Sequence, residues 1–474
     1  MKFSLVTLGC DKNTVDSERY VAQLADCGAE LTAQLEDADV IVVNTCGFID
    51  AAKKESIDAL VEAGRLKESG SCRAVVGVGC MVQRHKDELM EALPEVDLFL
   101  GAAEMDQLIP TLHARGLIDS VPAIHPGVRL FTGNLPHVRY LKVSEGCDHG
   151  CAFCAIPLMR GRHRSFTMAD VVSEAQLLEA QGAVEVNLVA QDLAHYGRDV
   201  RDGNALPELL EALIAETSIP WLRLLYVYSA GLTPKLLELM SREPRILPYL
   251  DMPIQHASDE VLKRMRRPER RNVVAQRVAR IREIVPDVAI RTTCIVGFPG
   301  ETDADFESLL TFLEETQFER VGAFTYSPQE GTHAATLTDD VTEATKRERL
   351  ERLVELQRLI TADRYERRVG RVARAIIDRA EGRVAEGGGG GGGGIVARTF
   401  WQADDIDGVT RLVSDRGETE LTAGSLVDVA VEQVVDDYDF HASLVRVVSS
   451  GATRRATSPR ALPVITSTMG SYGR

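Results

Sequence analysis

The chain has 474 residues, 45% of them apolar, which is enough for about three domains that each bury a core. This composition excludes a disordered chain, and the formal net charge of −17 argues against binding of polyanions over the whole surface. No apolar run reaches about 18 residues, and the chain leads straight into a predicted strand. We therefore expect no transmembrane span, no secretory signal and a cytoplasmic location.

Cysteine usage points in the same direction. The chain has nine cysteines, an odd number, and six of them form two sets of three. This pattern favours a reducing compartment and metal binding over disulfide bonds. We predict that the remaining three are small buried apolar residues: Cys27, Cys72 and Cys294.

The predicted N-terminal domain, residues 1–115, alternates apolar strands with helical patterns. Alternation at about 35 residues per unit indicates a parallel sheet covered by helices. The predicted strands are Phe3 to Leu8, Val40 to Val43, Arg73 to Val78 and Asp97 to Leu100. The predicted helices are Thr14 to Cys27, Ile49 to Glu68 and Gln83 to Ala92.

Three cysteines of this domain occupy equivalent positions, since Cys10, Cys46 and Cys80 follow the first, second and third strands. Ligands of open α/β sheets collect at the carboxyl ends of the strands. A glycine adjoins each cysteine, and we predict that the three thiols form one metal site. Any one of them alone would more often be a packing residue. A structural zinc ion would need a fourth protein ligand, and none is evident.

The second predicted domain, residues 133–368, contains six strand candidates separated by helical patterns. Six β/α units indicate a partial, open parallel barrel with active residues at the carboxyl ends of the strands. The strands are Val138 to Val143, Val184 to Ala190, Leu222 to Tyr228, Tyr249 to Ile254, Ala289 to Val296 and Val321 to Tyr326.

Polar residues and glycines follow four of these strands and are candidates for contact with a cofactor or substrate. Taken singly, each could equally be ordinary loop or turn chemistry. The candidates are Gln191, Asp192, Ser229, Gln255, His256 and the segment Gly297 to Thr302.

A C-x₃-C-x₂-C motif, formed by Cys147, Cys151 and Cys154, follows the first strand of this domain. Three thiolates so close together can bind three irons of an iron–sulfur cube and leave the fourth iron open to an exogenous ligand. The alternative is a zinc knuckle completed by His149 or His163, although zinc sites usually have two separated cysteine pairs.

A charged helix, Thr342 to Arg368, is predicted to be solvated and leads to a β-rich third domain, residues 369–449. Residues 395–450 contain eleven acidic and four basic side chains, a net charge of −7. The glycine run Gly387 to Gly394 is predicted as a flexible loop, and residues 450–474 as a disordered tail. The predicted strands are Val372 to Asp378, Val409 to Ser414, Leu426 to Val435 and Ser443 to Val448.

These motifs resemble those of the methylthiotransferases of the radical S-adenosylmethionine (SAM) superfamily. The resemblance is carried by "SEGCDHGCAFCAIPLMRGRHRS" in the second domain and by "TLGCDKNTVDSE", "VVNTCGFI" and "GVGCMVQR" in the first. The wording "AQDL" and "PIQHAS" is most similar to the RimO type, which modifies an aspartate of small-subunit ribosomal protein twelve. The transfer-RNA branch usually reads closer to "GQNV" and "PVQSGS".

The resemblance implies two four-iron–four-sulfur clusters and SAM. Cys147, Cys151 and Cys154 would bind the cluster whose open iron SAM chelates. Cys10, Cys46 and Cys80 would bind an auxiliary cluster that handles the transferred sulfur. SAM would serve as methyl donor and as the source of the 5′-deoxyadenosyl radical that removes hydrogen from the aspartate's β-carbon. The third domain would be a TRAM-like substrate-binding module, a low-potential electron donor would be a partner, and no individual catalytic side chain is assigned.

Two other functions stay open at this point. One is the same chemistry on a transfer-RNA adenosine, and the other is a non-catalytic cluster or zinc scaffold, against which two incomplete ligand sets argue. The acidic third domain favours a basic protein partner, because a phosphate-binding module should be basic. We therefore expect ribosomal protein twelve, free or within the small subunit, as the substrate.

Overall fold

The computed structural model describes residues 1–70, 72–121, 129–131, 133, 135–200, 205–380, 394–413, 421–451 and 465–466. It has three parts in chain order: an α/β domain with a parallel sheet, an open parallel barrel and a small closed β-barrel. The fold class predicted from the sequence is confirmed. No helix among the described residues is long and apolar enough to cross a membrane.

The N-terminal sheet has the strand order β19-β1-β3-β4-β5, in which β19 is the short strand Ile465–Thr466 from the C-terminal end of the chain. Strand β2 lies beside β1, and every pairing is parallel. All six residues of the central strand β3 are buried, since helices cover both faces of the sheet. The elements are β1 Lys2–Thr7, α1 Asp11–Asp26, β2 Glu30–Leu31, β3 Val40–Thr45, α2 Asp50–Ser69, β4 Ala74–Gly79, α3 Cys80–Ala92, β5 Leu98–Gly101 and α4 Leu108–Ala114.

The second part begins with the first barrel strand and the hairpin that carries the C-x₃-C-x₂-C loop. Thr167 caps helix α6 by accepting a hydrogen bond from the amide of Asp170. The elements up to the third barrel strand are β6 Val138–Lys142, β7 Ser144–Glu145, α5 Ile156–Arg160, β8 Arg164–Ser165, α6 Met168–Ala180, β9 Glu185–Val189, α7 Leu206–Glu216 and β10 Trp221–Leu224.

Six parallel strands follow one another in the barrel in the order β6-β9-β10-β11-β12-β13, and its two edge strands do not pair. The third strand ends at Leu224, earlier than predicted, because Tyr226 has a φ of 59° and cannot continue an extended strand. The remaining elements are α8 Pro234–Arg242, β11 Ile246–Asp251, α9 Asp259–Arg264, α10 Arg271–Ile284, β12 Ala289–Val296, α11 Asp303–Thr316, β13 Arg320–Thr325 and α12 Glu343–Glu366.

Helix α12 corrects one prediction, because its charged residues are not all solvated. Lys346 and Arg349 are buried. Arg349 donates to the carboxylate of Glu301, which in turn accepts the amide of Gly297. Glu301 therefore shapes the turn after β12 and links it to the helix.

The third part closes into a barrel in the order β14-β15-β16-β18-β17, in which only the pairing of β16 with β18 is parallel. The four predicted strands are present, but the prediction lacked β15, which directly follows the glycine run that was interpreted as an interruption. Gly387 to Gly393 lie outside the described residues. The strands are β14 Val372–Ala380, β15 Ile395–Thr399, β16 Thr410–Val413, β17 Leu426–Val435 and β18 Asp439–Ser449.

Most of the predicted disordered tail also lies outside the described residues. Within it, the short strand β19, Ile465–Thr466, pairs with β1 at the edge of the N-terminal sheet. The predicted domain limits at 115, 133, 368 and 449 stay predictions.

A buried ion network attaches the third part to the barrel. Arg398 on β15 donates to Asp378 at 2.7 Å and to Glu185, the first residue of β9, at 2.8 Å. Glu185 also accepts from Arg223 at 2.6 Å, and His137 contacts Asp378 at 2.9 Å. Apolar residues, including both tryptophans, Trp221 and Trp401, pack in one cluster across this interface.

We predict that Arg398→Met destabilises this interface by about 3–5 kcal/mol, because two buried carboxylates lose a counter-charge. Denaturant unfolding followed by tryptophan fluorescence measures the change, since the chain's two tryptophans both lie in the interface. Arg446→Met is the matched control. Arg446 also pairs with an aspartate, but its side chain is 68% exposed, so the expected cost is about 0–1 kcal/mol. Equal midpoints for the two variants would contradict the prediction.

Candidate metal centres

The three N-terminal cysteines lie at the carboxyl ends of neighbouring strands β1, β3 and β4. Cys10 is the N-cap of α1, Cys46 follows β3 directly and Cys80 is the first residue of α3. Burial raises the pKa of the Cys46 thiol to about 12, and the nearby Cys10 adds to this rise. The prediction that they converge at one edge of the sheet is consistent with this geometry. Their role as metal ligands stays a prediction.

Local packing explains the residues around these cysteines. Gly9 has a φ of 93°, and a side chain there would lie 2.8 Å from the Sγ of Cys46. The side-chain amide of Asn13 donates to the backbone carbonyls of Leu8 and Thr45. It therefore links the two segments that lead to Cys10 and Cys46.

Arg160, at the end of α5 in the barrel domain, reaches into this N-terminal site. Its Nε donates to the Sγ of Cys80 at 3.0 Å, and its Nη1 donates to Asp16 at 2.6 Å. Its Nη2 donates to Asn13, and Nη1 also reaches Glu145 at 3.2 Å. The guanidinium is almost completely buried, so these bonds form in a region of low dielectric constant.

Lys142 completes this network. It donates to Asp16 at 2.5 Å and to Glu145 at 2.6 Å. Burial raises the pKa of Asp16, but Lys142 and Arg160 outweigh that effect and hold it at about 2. Asp16 belongs to the N-terminal domain and Glu145 begins the cysteine loop of the barrel, so the network joins the two cysteine sites.

The barrel cysteines Cys147, Cys151 and Cys154 lie in the loop between β7 and α5 and are all partly exposed. The backbone amide of Cys147 donates to the carbonyl of Gly161, so the start of the loop lies against the residue that follows α5. Burial raises the pKa of Cys147 to about 11 and that of Cys154 to about 12.

A buried arginine also serves this second set. Arg267 donates to the Sγ of Cys151 at 3.6 Å and pairs with Glu269 at 3.2 Å. Its guanidinium lies 4.2 Å from the centre of the Tyr228 ring. Each cysteine set therefore has one buried guanidinium that donates to one of its sulfurs.

The zinc-knuckle alternative finds no support in the histidines. His149 contacts Asp192 at 2.7 Å and stacks on Tyr228, and His163 contacts Ser165 at 3.1 Å. A single tetrahedral ion needs closely spaced ligands. Among the described residues, only His149, Asp192 and His195 form a group of three whose ligand atoms all lie within 4.8 Å of one another. The three sulfurs of each cysteine set are spaced more widely than the ligand atoms of that group.

Most of the residues predicted at the strand ends make hydrogen bonds within the protein. Asp192 caps the short helical turn that follows β9, and Ser229 lies within hydrogen-bond distance of Glu269. His256 accepts the amide of Ser258, and Gln191 donates to Glu145 beside the cysteine loop. Gln255 has a φ of 70°, a conformation that non-glycine residues rarely adopt outside functional or tightly constrained sites.

Sequence reasoning missed the arginines Arg160 and Arg267. It also missed Lys12, which lies two residues after Cys10 with its Nζ over the Tyr226 ring. The signal available for Arg160 was its place inside the "LMRGRHRS" flank of the cysteine motif. No local pattern indicated Arg267, because it lies 116 positions after Cys151 and only the fold brings it to the cysteine loop.

The residues present fit iron–sulfur clusters by their chemistry. All nine cysteines are free, and each set offers three thiols with a cationic donor aimed at one sulfur. A cluster bound by thiolates is anionic, and hydrogen bonds to its sulfurs stabilise it. Cys27 is partly exposed, whereas Cys72 and Cys294 are buried as predicted.

Comparison with known proteins supports the same chemistry. Residues 2–101 match the model of the Uncharacterized protein family UPF0004, and residues 141–313 match that of the Radical SAM superfamily. A solved structure of the radical S-adenosylmethionine methyltransferase TsrM from Kitasatospora setae, with tryptophan and a SAM analogue bound, has a similar fold. Its TM-score is 0.54 and its sequence identity 14%, covering 76% of this chain and 89% of that chain. The fold and the cysteine loop thus define a radical SAM enzyme.

Relatives that match nearly the whole chain show which family of radical SAM enzymes it belongs to. The chain is 44% identical to the ribosomal protein uS12 methylthiotransferase RimO of Anaeromyxobacter sp. (strain Fw109-5), over 91% of this chain and 93% of that protein. It is 39% identical to the protein of the same name from Geobacter sulfurreducens, over 93% of this chain and 97% of that protein. The chain belongs to the RimO family of methylthiotransferases.

We predict that the anaerobically reconstituted protein binds about eight irons per chain, four at each cysteine set. Replacing Cys147, Cys151 and Cys154 together with Ala should halve the iron content. Cys72→Ala is the matched control and should leave the iron content unchanged, since that thiol is buried beneath the sheet among apolar residues. Metal analysis of protein purified without oxygen checks the result. Zinc in place of iron would contradict it.

Proposed function

We propose that this protein inserts a methylthio group at the β-carbon of an aspartate in ribosomal protein uS12. The observation that carries the proposal is the 44% sequence identity to a RimO protein over 91% of this chain. In the structure, one buried ion network joins the two cysteine sites. The protein uses SAM and two four-iron–four-sulfur clusters, proposed to be held by Cys147, Cys151 and Cys154 and by Cys10, Cys46 and Cys80.

The two-site arrangement suits the chemistry. When bound, the clusters and SAM would pass on the electron from the donor and supply the hydrogen-abstracting radical and the methyl group, and the auxiliary cluster would hold the sulfur that is transferred. A radical is needed because no side-chain base could remove so weakly acidic a proton.

The chain's own residues keep the two sites in a fixed relationship. Glu145 lies two residues before Cys147 and binds both Lys142 and Arg160, while Arg160 binds Cys80. A charge network of this kind leaves little freedom for relative movement, because each partner would lose a buried counter-charge. A fixed relative orientation of the two cysteine sets suits a reaction that uses both of them.

The acidic third domain supports a basic protein partner over nucleic acid, although ion pairs neutralise part of the acidic charge on its described residues. Asp428 pairs with Arg374 and Arg446, and Asp437 pairs with Arg358 of helix α12. Glu432 and Asp436 are exposed. These remaining charges can attract a basic ribosomal protein and would repel the phosphates of transfer RNA. We further propose a cytoplasmic location and a low-potential electron donor as a second partner.

Division of labour between the two sites gives the next prediction. A variant with Cys10, Cys46 and Cys80 all replaced by Ala should form no methylthio product but should still convert SAM to 5′-deoxyadenosine, because the barrel cysteines remain. Product analysis by liquid chromatography and mass spectrometry checks both activities. If a folded variant that keeps the barrel iron loses both, the two sites do not divide the chemistry in this way.

The substrate can be tested directly by mass spectrometry. Small-subunit proteins from a strain that lacks this gene should contain uS12 without the methylthio group, and the group should return when the gene is restored. Transfer-RNA nucleosides from the same strains serve as the comparison and should not differ. Unchanged uS12 together with loss of a methylthio adenosine would replace the proposed substrate by transfer RNA.

A further inference from the structure

Lys12 is a buried cation at the N-terminal cysteine site. It is the second residue of α1, two positions after Cys10, and only 7% of it is exposed. Its Nζ lies 3.2 Å from the centre of the Tyr226 ring. No carboxylate among the described residues forms an ion pair with this Nζ, although Asp11 is its neighbour in sequence.

Comparison with the other buried lysines shows that Lys12 is the one among them without a carboxylate partner in the described chain. The described residues include three buried lysines. Lys142 pairs with two carboxylates, Asp16 and Glu145, and Lys346 pairs with Asp339 and Glu343. Burial of an ammonium group without a paired carboxylate is unfavourable. A cation–π contact offsets only part of that cost.

The ring beneath Lys12 is itself held in place. Tyr226 adopts a left-handed conformation with a φ of 59°, and its hydroxyl donates to Asp11 at 3.0 Å. Two residues later, Tyr228 stacks on His149 of the barrel cysteine loop. The segment Tyr226–Tyr228 therefore runs from the N-terminal cysteine site to the barrel cysteine site, and Lys12 lies on its first ring.

We propose that the Lys12 ammonium binds the side-chain carboxylate of the substrate aspartate, an inference that rests on the proposed function. Lys12 lacks a carboxylate partner within the described chain, and the uS12 substrate presents a carboxylate that is bonded directly to the reacting β-carbon. Pairing of the two groups neutralises the buried charge and places the β-carbon beside the segment that links the two cysteine sites. An adenine base offers no carboxylate, so this pairing is specific to a substrate with an acidic side chain.

The test compares two enzymes with two substrates. Lys12→Met keeps an apolar side chain of similar length but removes the charge. Its affinity for uS12 is measured in reconstituted full-length enzyme with SAM and without reductant, and so is its affinity for uS12 with the target aspartate changed to asparagine. We expect Lys12→Met to weaken binding of uS12 at least about tenfold. The asparagine form should bind equally weakly to both enzymes.

Two control variants make the result specific. Lys12→Arg retains the charge and should retain the preference for aspartate over asparagine. Lys54→Met, at an exposed lysine of α2 that pairs with Asp58, should leave both affinities unchanged. Iron content and thermal midpoint establish that each variant is folded and loaded.

The outcomes separate this inference from the proposed function. Equal weakening of both uS12 forms by Lys12→Met would assign the lysine to SAM or to the fold and overturn the inference. Absence of any preference for aspartate in the unaltered enzyme would overturn it as well. Neither result affects the proposed function, which depends on the methylthio group found on uS12 in cells.

Discussion

The buried network of Arg160, Lys142, Asp16 and Glu145 is the interaction on which the functional architecture depends. It crosses the boundary between the N-terminal sheet and the barrel, and one of its members donates to a cysteine sulfur. Removing any single member would take one of two partners from each opposite charge, which is unfavourable in a buried site. The two domains therefore have a strong reason to keep one relative orientation, and a reaction that uses both cysteine sites needs that orientation.

The third part of the chain is attached by the same physical means at a different place. Arg398 and Arg223 converge on Glu185 at the start of a barrel strand, whereas the cysteine loops lie beyond the carboxyl ends of the strands. The small barrel thus contacts the catalytic barrel away from its cysteine loop. Its exposed acidic residues can meet a basic partner without entering the ion network around the cysteines.

Lys12 differs from the two other buried lysines in having no carboxylate partner within the described parts of the chain. A folded protein can tolerate such a group where a ligand completes it, because the free energy lost on burial is regained on binding. Its position on Tyr226, beside the N-terminal cysteines, connects the electrostatics of the fold to the choice of an acidic residue as the substrate.

Hydrophobic periodicity and cysteine spacing determined the fold class, the six barrel strands to within a few residues and the six candidate metal ligands. They did so because strand burial and the C-x₃-C-x₂-C loop are local properties of the chain. The strand β15 was missed since a glycine run conceals its start, and the early end of β10 depends on the left-handed Tyr226. Tertiary structure alone decided which arginine donates to which sulfur, which lysine lacks a partner and which acidic residues are neutralised. Those pairings join residues far apart in sequence, and their energies depend on burial, which no local pattern encodes.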